Sequence, residues 1–299
     1  MTLIHPVRRQ PDAAAAAAGV LAATVPLREA TFRRLAALVR QSCGISLAPS
    51  KRLMLQTRLG RRLRAAGLSD FETYADLLTG PNPPKDELQA FVDSVVTNET
   101  SFFREPPHFA YLTPARLQEL AEGGTPGHLA MWSAACSTGE EAWSLAMLAA
   151  AASAAEGGGW SWSVLATDIS ISALRRARRG NYAAEAAGRV PAELAARYLL
   201  RDGAGAGQLR VAPGLRRNLR FGQVNLMDAR YLPGRMMDVI FCRNVLIYFD
   251  AETQARIVRK LCAHLRPSGL LVLGHSDMSR ERQAPLRLLH NNIHERLED

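Results

Sequence analysis

Two periodicities divide the chain. Across residues 27–78 apolar side chains recur at helical spacing, Phe32, Leu35, Leu38 and Val39 in one stretch and Leu53, Leu55, Leu59 and Leu63 in the next. Gly44 and Gly67 mark the expected helix ends, and Gly80-Pro81-Asn82-Pro83-Pro84 breaks the pattern. Leu88, Phe91, Val92, Val95 and Val96 then predict one more amphipathic helix, followed by a polar loop over 97–104. Beyond it the rhythm changes. Short apolar runs at 128–135, 163–167, 219–224, 238–242 and 269–274 alternate with Ala-rich or Leu-rich helical segments, the pattern of a parallel βαβ sheet. The run 238–242 is apolar enough to be buried on both faces, as strands of such sheets are.

The expected organisation is α/β with a helical domain in front. It comprises a disordered Ala-rich tail over 1–26, an all-helical domain over 27–84, a linker helix and loop over 85–105, and the sheet domain over 106–299. Within the last, residues 180–218 are too many for a simple connection. Pro191, the Gly203-Ala204-Gly205-Ala206-Gly207 turn and the alternation Gln208-Leu209-Arg210-Val211 predict a small β-containing insertion at about 181–218. A role in recognition and an indifferent surface excursion fit it equally.

Charge adds a partner class. The chain carries a formal charge of +9, and residues 28–70 hold ten Lys and Arg against Glu29 and Asp70. The second predicted helix carries Lys51, Arg52, Arg58, Arg61, Arg62 and Arg64 without an acidic residue, and Arg58, Arg61 and Arg62 share a face. With Lys51, they are expected to form a docking surface for an anionic partner. No aromatic interleaves these cations, which argues against stacking on nucleic-acid bases. Cys43, Cys136, Cys242 and Cys262 are widely spaced, with no CxxC pair and no His-rich segment, so reduced thiols and no metal site are expected. No apolar run approaches the roughly 20 residues of a membrane span. Arg8 and Arg9 before the Ala-rich run imitate an export signal, but Pro11 and Asp12 interrupt it, and a cytoplasmic protein is expected.

The chemistry gathers at the strand ends. The first strand runs into Ala135-Cys136-Ser137-Thr138-Gly139-Glu140-Glu141, where Gly139 permits close backbone approach and Ser137 and Thr138 can cap a helix. A phosphate loop would need GxGxxG or GxxxxGK[ST]; two carboxylates here disfavour phosphate and favour a cationic, hydroxyl-bearing ligand. The second strand ends in Asp168, the third in Asn225, Leu226 and Asp228, the fourth in Arg243 and Asn244. An acid after the second strand accepts from ribose hydroxyls, and the carboxyl edge of such a sheet binds ligands. A nucleoside site without phosphate recognition points to S-adenosylmethionine, whose sulfonium is positive.

The segments 98–105 (NETSFFRE), 132–141 (WSAACSTGEE), 166–169 (ATDI) and 241–249 (FCRNVLIYF), with Gly274-His275-Ser276, resemble the successive motifs of the CheR chemotaxis receptor methyltransferases. The resemblance covers the chain from about Leu27 onward. It implies an all-α N-terminal domain and a Rossmann-like methyltransferase domain with a β-subdomain. It also implies transfer of a methyl group from S-adenosylmethionine to glutamates of chemoreceptors, with S-adenosylhomocysteine as product. Carried over, Asn98, Thr100 and Arg104 cover the cofactor, Arg104 facing its carboxylate. Glu141 faces its amino end, Asp168 the ribose, and Asn225 and Leu226 the adenine; Arg243, Asn244 and Tyr248 line the transfer site. Ala142-Trp143 stands where the family has Pro-Tyr, and His294 stands near a C-terminal aromatic.

A glutamate with a reference pKa of about 4.3 is already ionised at neutral pH, so the chemistry needs placement rather than a strong base. Tyr248 and Arg243 are the candidates for orienting that carboxylate. The implied partners are the cytoplasmic helical region of methyl-accepting receptors, met by the basic face, and the receptor C-terminal tail, met by the β-subdomain, with recruitment to membrane receptor arrays. The alternative is a non-catalytic S-adenosylmethionine-binding adaptor that docks an acidic protein.

Overall fold

The computed structural model describes residues 25–155, 159–201, 207–231, 236–277 and 284–298. Nearly all of the expected Ala-rich tail and residues 203–206 of the Gly-rich turn lie outside them. Among the described residues no helix is long and apolar enough to cross a membrane.

The chain divides into two compact units, one running to Ser42 and resuming over Leu47–Val95, the other formed by Cys43–Ser46 and everything from Val96 onward. The first is all-helical: α1 (Glu29–Cys43), α2 (Arg52–Ala65), α3 (Phe71–Thr79) and α4 (Lys85–Val95). Gly44 and Gly67 follow α1 and α2 with φ of 74° and 67°, the left-handed geometry that ends a helix at glycine. Asp70 caps α3, its carboxylate accepting from the Thr73 amide at 2.7 Å. The core of this unit is Phe32, Leu35, Leu55, Leu59, Phe71, Tyr74 and Phe91, all buried.

Two expectations change here. Helix α4 is no linker: Glu87 on it accepts from Tyr74 Oη at 2.7 Å and from Arg62 Nε at 3.1 Å, which places it in the helical unit. The shared basic face is also partly spent within that unit. Arg62 pairs with Glu87, and Arg58 donates to the Val95 carbonyl, so both are half-buried. The exposed cations of α2 and the turn before it are instead Lys51, Arg52, Arg61 and Arg64, beside an exposed Leu53.

The second unit is built on a seven-stranded sheet in the order β6-β2-β1-β7-β8-β10-β9. Its strands are β1 (His128–Ala134), β2 (Ser161–Asp168), β6 (Leu219–Gln223), β7 (Met237–Cys242), β8 (Leu265–Leu273), β9 (Leu286–His290) and β10 (Ile293–Arg296). The first five are mutually parallel, and β10 and β9 add antiparallel at one edge. Both antiparallel strands escaped the sequence reading: the described residues of β9 are half-buried or exposed and lack a clean apolar alternation. Helices α5 (Pro106–Ala110) and α6 (Pro114–Gly123) precede the sheet; α7 (Glu140–Ala155), α8 (Ile171–Arg179) and α11 (Ala251–His264) connect its strands.

Period-two alternation feeds two cores. Leu129, Met131, Val239, Phe241, Leu270 and Val272 pack on one face with α7, while Trp132, Ile240, Cys242, Leu271 and Leu273 pack on the other with Ile257, Val258 and Leu261 of α11. Helix α7 is buried nearly all round, its alanines allowing close approach to the sheet. The expected insertion is a three-stranded antiparallel sheet, β3 (Asn181–Ala183), β5 (Gln208–Val211) and β4 (Leu199–Arg201), with α9 (Ala192–Tyr198) and, after β5, α10 (Pro213–Arg216).

Chain order reverses at β1. Strands β2 and β6 extend to one side of it and β7 and β8 to the other, so the crossover helices diverge and leave a crevice past the carboxyl ends of β1 and β7.

Candidate active site

A cleft of about 840 Å³, open mouth included, occupies that crevice. Asn98, Thr100, Arg104, Glu141, Asp168, Asn225, Leu226, Arg243, Asn244 and Tyr248 all line it. The loop 96–104 supplies the first three; Asp168 ends β2, Asn225, Leu226, Arg243 and Asn244 follow β6 and β7, Glu141 lies in the first turn of α7, and Tyr248 lies on the turn after β7. Cys43 and Ile45 line it too, and no feature of local pattern marks them in the sequence.

The walls are held in unusual backbone geometry. Ala135, Ser137 and Asn244 line the cleft with φ of 76°, 52° and 56°, and Phe103 and Glu105 in the adjoining loop have 48° and 57°. Non-glycine residues in this region cost about 1–3 kcal/mol each and persist only where the surroundings enforce them. The enforcement is visible. The amides of Ala135 and Cys136 both donate to the Thr167 carbonyl at 2.8 Å, and the Ser137 amide donates to Asp168 Oδ2 at 2.8 Å. Gly139 has φ 98°, and a Cβ there would lie 2.7 Å from the Ala177 Cβ on α8. Ser137 and Thr138 do not act as the expected helix caps: their hydroxyls donate to the Asn98 carbonyl at 2.9 Å and to Glu140 Oε2 at 2.6 Å. The first of these bonds ties the covering loop to the glycine loop.

Arg243 sits at the centre of a buried charge network. Its Nη1 is 3.0 Å from Glu141 Oε2, its Nη2 is 3.1 Å from Glu105 Oε2 and also donates to the Arg104 carbonyl, and Phe109 and Phe241 stack near the guanidinium at 5.5 and 5.7 Å. Glu141 also accepts from Ser133 Oγ at 2.7 Å. Burial pushes the Glu141 carboxyl above its ordinary range against the pull of Arg243. For Glu105, burial is outweighed by the Asn244 hydrogen bond and the Arg243 charge, which hold it below that range. Both terminal nitrogens of the arginine are thus engaged by internal partners, while its side chain still lines the cleft. Tyr248, half-buried on a 3-10 turn over Leu246–Tyr248, keeps its ring at the cleft.

Glu105, His108 and His275 bring three potential ligand atoms within 4.8 Å of one another, a cluster the sequence did not suggest. In this arrangement both Glu105 oxygens already accept, from Asn244 Nδ2 at 2.9 Å, from Arg243, and from the His275 amide at 3.2 Å. Glu105 and Asp277 were both missed as functional residues. Glu105 ends the motif 98–105 and Asp277 directly follows Gly274-His275-Ser276, so adjacency to those motifs was the available signal.

Comparison with known proteins gives the chain a family. The family described as CheR methyltransferase, SAM binding domain, matches residues 98–293, and CheR methyltransferase, all-alpha domain, matches 30–96. Chemotaxis protein methyltransferases of Escherichia coli and Salmonella typhimurium are each 42% identical over 254 residues, covering 84% of this chain and 85% and 84% of their own lengths. Chemotaxis protein methyltransferase 2 of Pseudomonas aeruginosa is 39% identical over 82% of this chain and 85% of its own. With both domains matched in order and these relatives aligned over most of their length, the chain belongs to the CheR methyltransferase family.

Proposed function

We propose that this protein is an S-adenosylmethionine-dependent glutamate O-methyltransferase of chemoreceptors, forming γ-methyl esters. The observation that carries the reading is a cleft past the carboxyl edge of the sheet, lined by carboxylates and amides, without a phosphate-binding loop. S-adenosylmethionine, when bound, supplies the electrophilic methyl group.

The residues present suit such a ligand. Asp168 offers acceptors at the end of β2, where a ribose would lie. Arg104 folds back to donate to the Glu99 carbonyl at 2.9 Å and so covers the cleft from the loop. Glu141 contributes a negative wall beside the arginine. Tyr248 is the residue assigned to contact the substrate carboxylate, since Arg243 is held by Glu105 and Glu141.

An ionised glutamate needs no base to attack a methyl carbon, and the protein's contribution is to hold the two in line at about 3–3.5 Å. Receptor recognition falls to the exposed cations Lys51, Arg52, Arg61 and Arg64 for the acidic helical region, and to the three-stranded insertion for a receptor tail. Action takes place in the cytoplasm, at receptor arrays.

The test has two stages. Titration with S-adenosylhomocysteine is expected to show micromolar binding that weakens about 100-fold or more in Asp168→Ala, given about 1.5–3 kcal/mol for each charged hydrogen bond lost. Incubation with radiolabelled S-adenosylmethionine and receptor-containing membranes should then give label released as methanol by mild alkali. Base-stable label would exclude an ester, and well-folded protein that binds no S-adenosylhomocysteine would sink the whole assignment.

A further inference from the structure

Asn244 poses a question the cofactor reading leaves open. It lines the cleft in the left-handed region, at φ 56°, without being glycine, and its amide could present either an oxygen or a nitrogen to a ligand. Two carboxylates that do not line the cleft settle both matters. Glu105 Oε1 stands 2.9 Å from Asn244 Nδ2, so that nitrogen is the donor and the amide orientation is fixed. Asp277, buried to 2% exposure, accepts from the backbone amides of Asn244, of Ile247 at 3.1 Å and of Gly274 at 3.2 Å. A Cβ at Gly274 would fall 2.7 Å from the Asn244 amide nitrogen, from Asn244 Nδ2 and from Asp277 Oδ2 alike. The glycine is what lets the three groups converge.

We propose that Glu105 and Asp277 are positioning residues that clamp Asn244, one through its side-chain amide and the other through its backbone. With one Nδ2 hydrogen engaged by Glu105, the amide is held with Oδ1 turned away from that carboxylate, an acceptor matched to a cationic ligand. Because Asp277 also grips the Ile247 amide, the same clamp sets the turn that carries Tyr248. The clamp joins three separate segments: the covering loop that ends at Glu105, the end of β7 and the end of β8. The Glu105 contact spans 139 residues of sequence. The service assigned to Asn244 rests on the methyltransferase reading; the clamp itself does not.

The test uses the full chain. Hydrogen exchange of ligand-free protein should show the amides of segment 243–248 opening about tenfold faster or more in Asp277→Asn, with β7 itself unchanged. Titration with S-adenosylhomocysteine should give a Kd about tenfold weaker for Asn244→Ala and about three- to tenfold weaker for Glu105→Ala. In the Asn244→Ala background, Glu105→Ala should lose the part of its effect that passes through the amide already removed and keep only the part that passes through Arg243, so the two losses fall short of additive. A role confined to stability would lower the melting temperature and leave these affinities apart and additive. Additive losses, or unaltered exchange in Asp277→Asn, would overturn the clamp. If the wild type binds no S-adenosylhomocysteine the cofactor reading fails, and the exchange result still decides the clamp.

Discussion

His108 should make folding stability fall between neutral and mildly acid pH. The imidazole is fully buried, and Nε2 lies 2.6 Å from the Asn291 carbonyl oxygen, which can only accept; Nε2 therefore carries the proton. Nδ1 has no hydrogen-bond partner among the described residues and stands 3.3 Å from Glu105 Oε2, whose charge Arg243 offsets. Burial first, then the Arg243 charge, push this histidine down from 6.5 to about 4. The unfolded chain binds its proton near pH 6.5 and the folded chain only near 4, so between these values the unfolded state holds more protons. Stability is then fully present above about pH 6.5 and lost as pH falls toward 4. The gap amounts to about 3 kcal/mol in full, of which roughly 2 kcal/mol is lost between pH 7 and pH 4.5.

Glu141 and Asp277, raised by burial, respond in the opposite sense, so the wild-type curve alone would mix signs. Urea unfolding of wild type and His108→Gln at both pH values isolates the histidine, because glutamine keeps an N–H donor for Asn291 and does not titrate. The stability advantage of wild type over the variant should shrink by roughly 2 kcal/mol on going to pH 4.5. An unchanged advantage, or a His108 ring resonance titrating at or above 6.5 by NMR, would show an imidazolium shared with Glu105 and refute the buried neutral ring.

Gly139→Ala should lower stability by roughly 1–3 kcal/mol, since φ is 98° and the new Cβ would press on the Ala177 Cβ and Cα at 2.7 and 3.0 Å. A melting temperature equal to wild type would mean that the glycine loop relaxes freely. Cys43, Cys136, Cys242 and Cys262 are all buried, and burial raises the first three thiols above their ordinary range, so Ellman's reagent at pH 8 should react only after urea is added. Rapid labelling of the native protein would show that the cleft wall at Cys43 opens.

The strand ends show how sequence and tertiary structure share the site. Asp168, Asn225 and Arg243 could be placed on one edge from the sequence because every strand of a parallel sheet ends on the same side, whatever the strand order. Local periodicity likewise set α1 to α4, the five parallel strands and the insertion. It could not show that Arg62 meets Glu87, that Arg243 faces inward to Glu105 and Glu141, or that β9 and β10 extend the sheet. Ion pairs between distant segments leave no periodic trace, and an arginine's partners are fixed only when packing aims it. Asp277 reads in sequence as one more turn acid. Convergence with Gly274, Asn244 and Glu105 makes it a clamp, because a buried carboxylate must be met by donors and these are the amides the fold delivers.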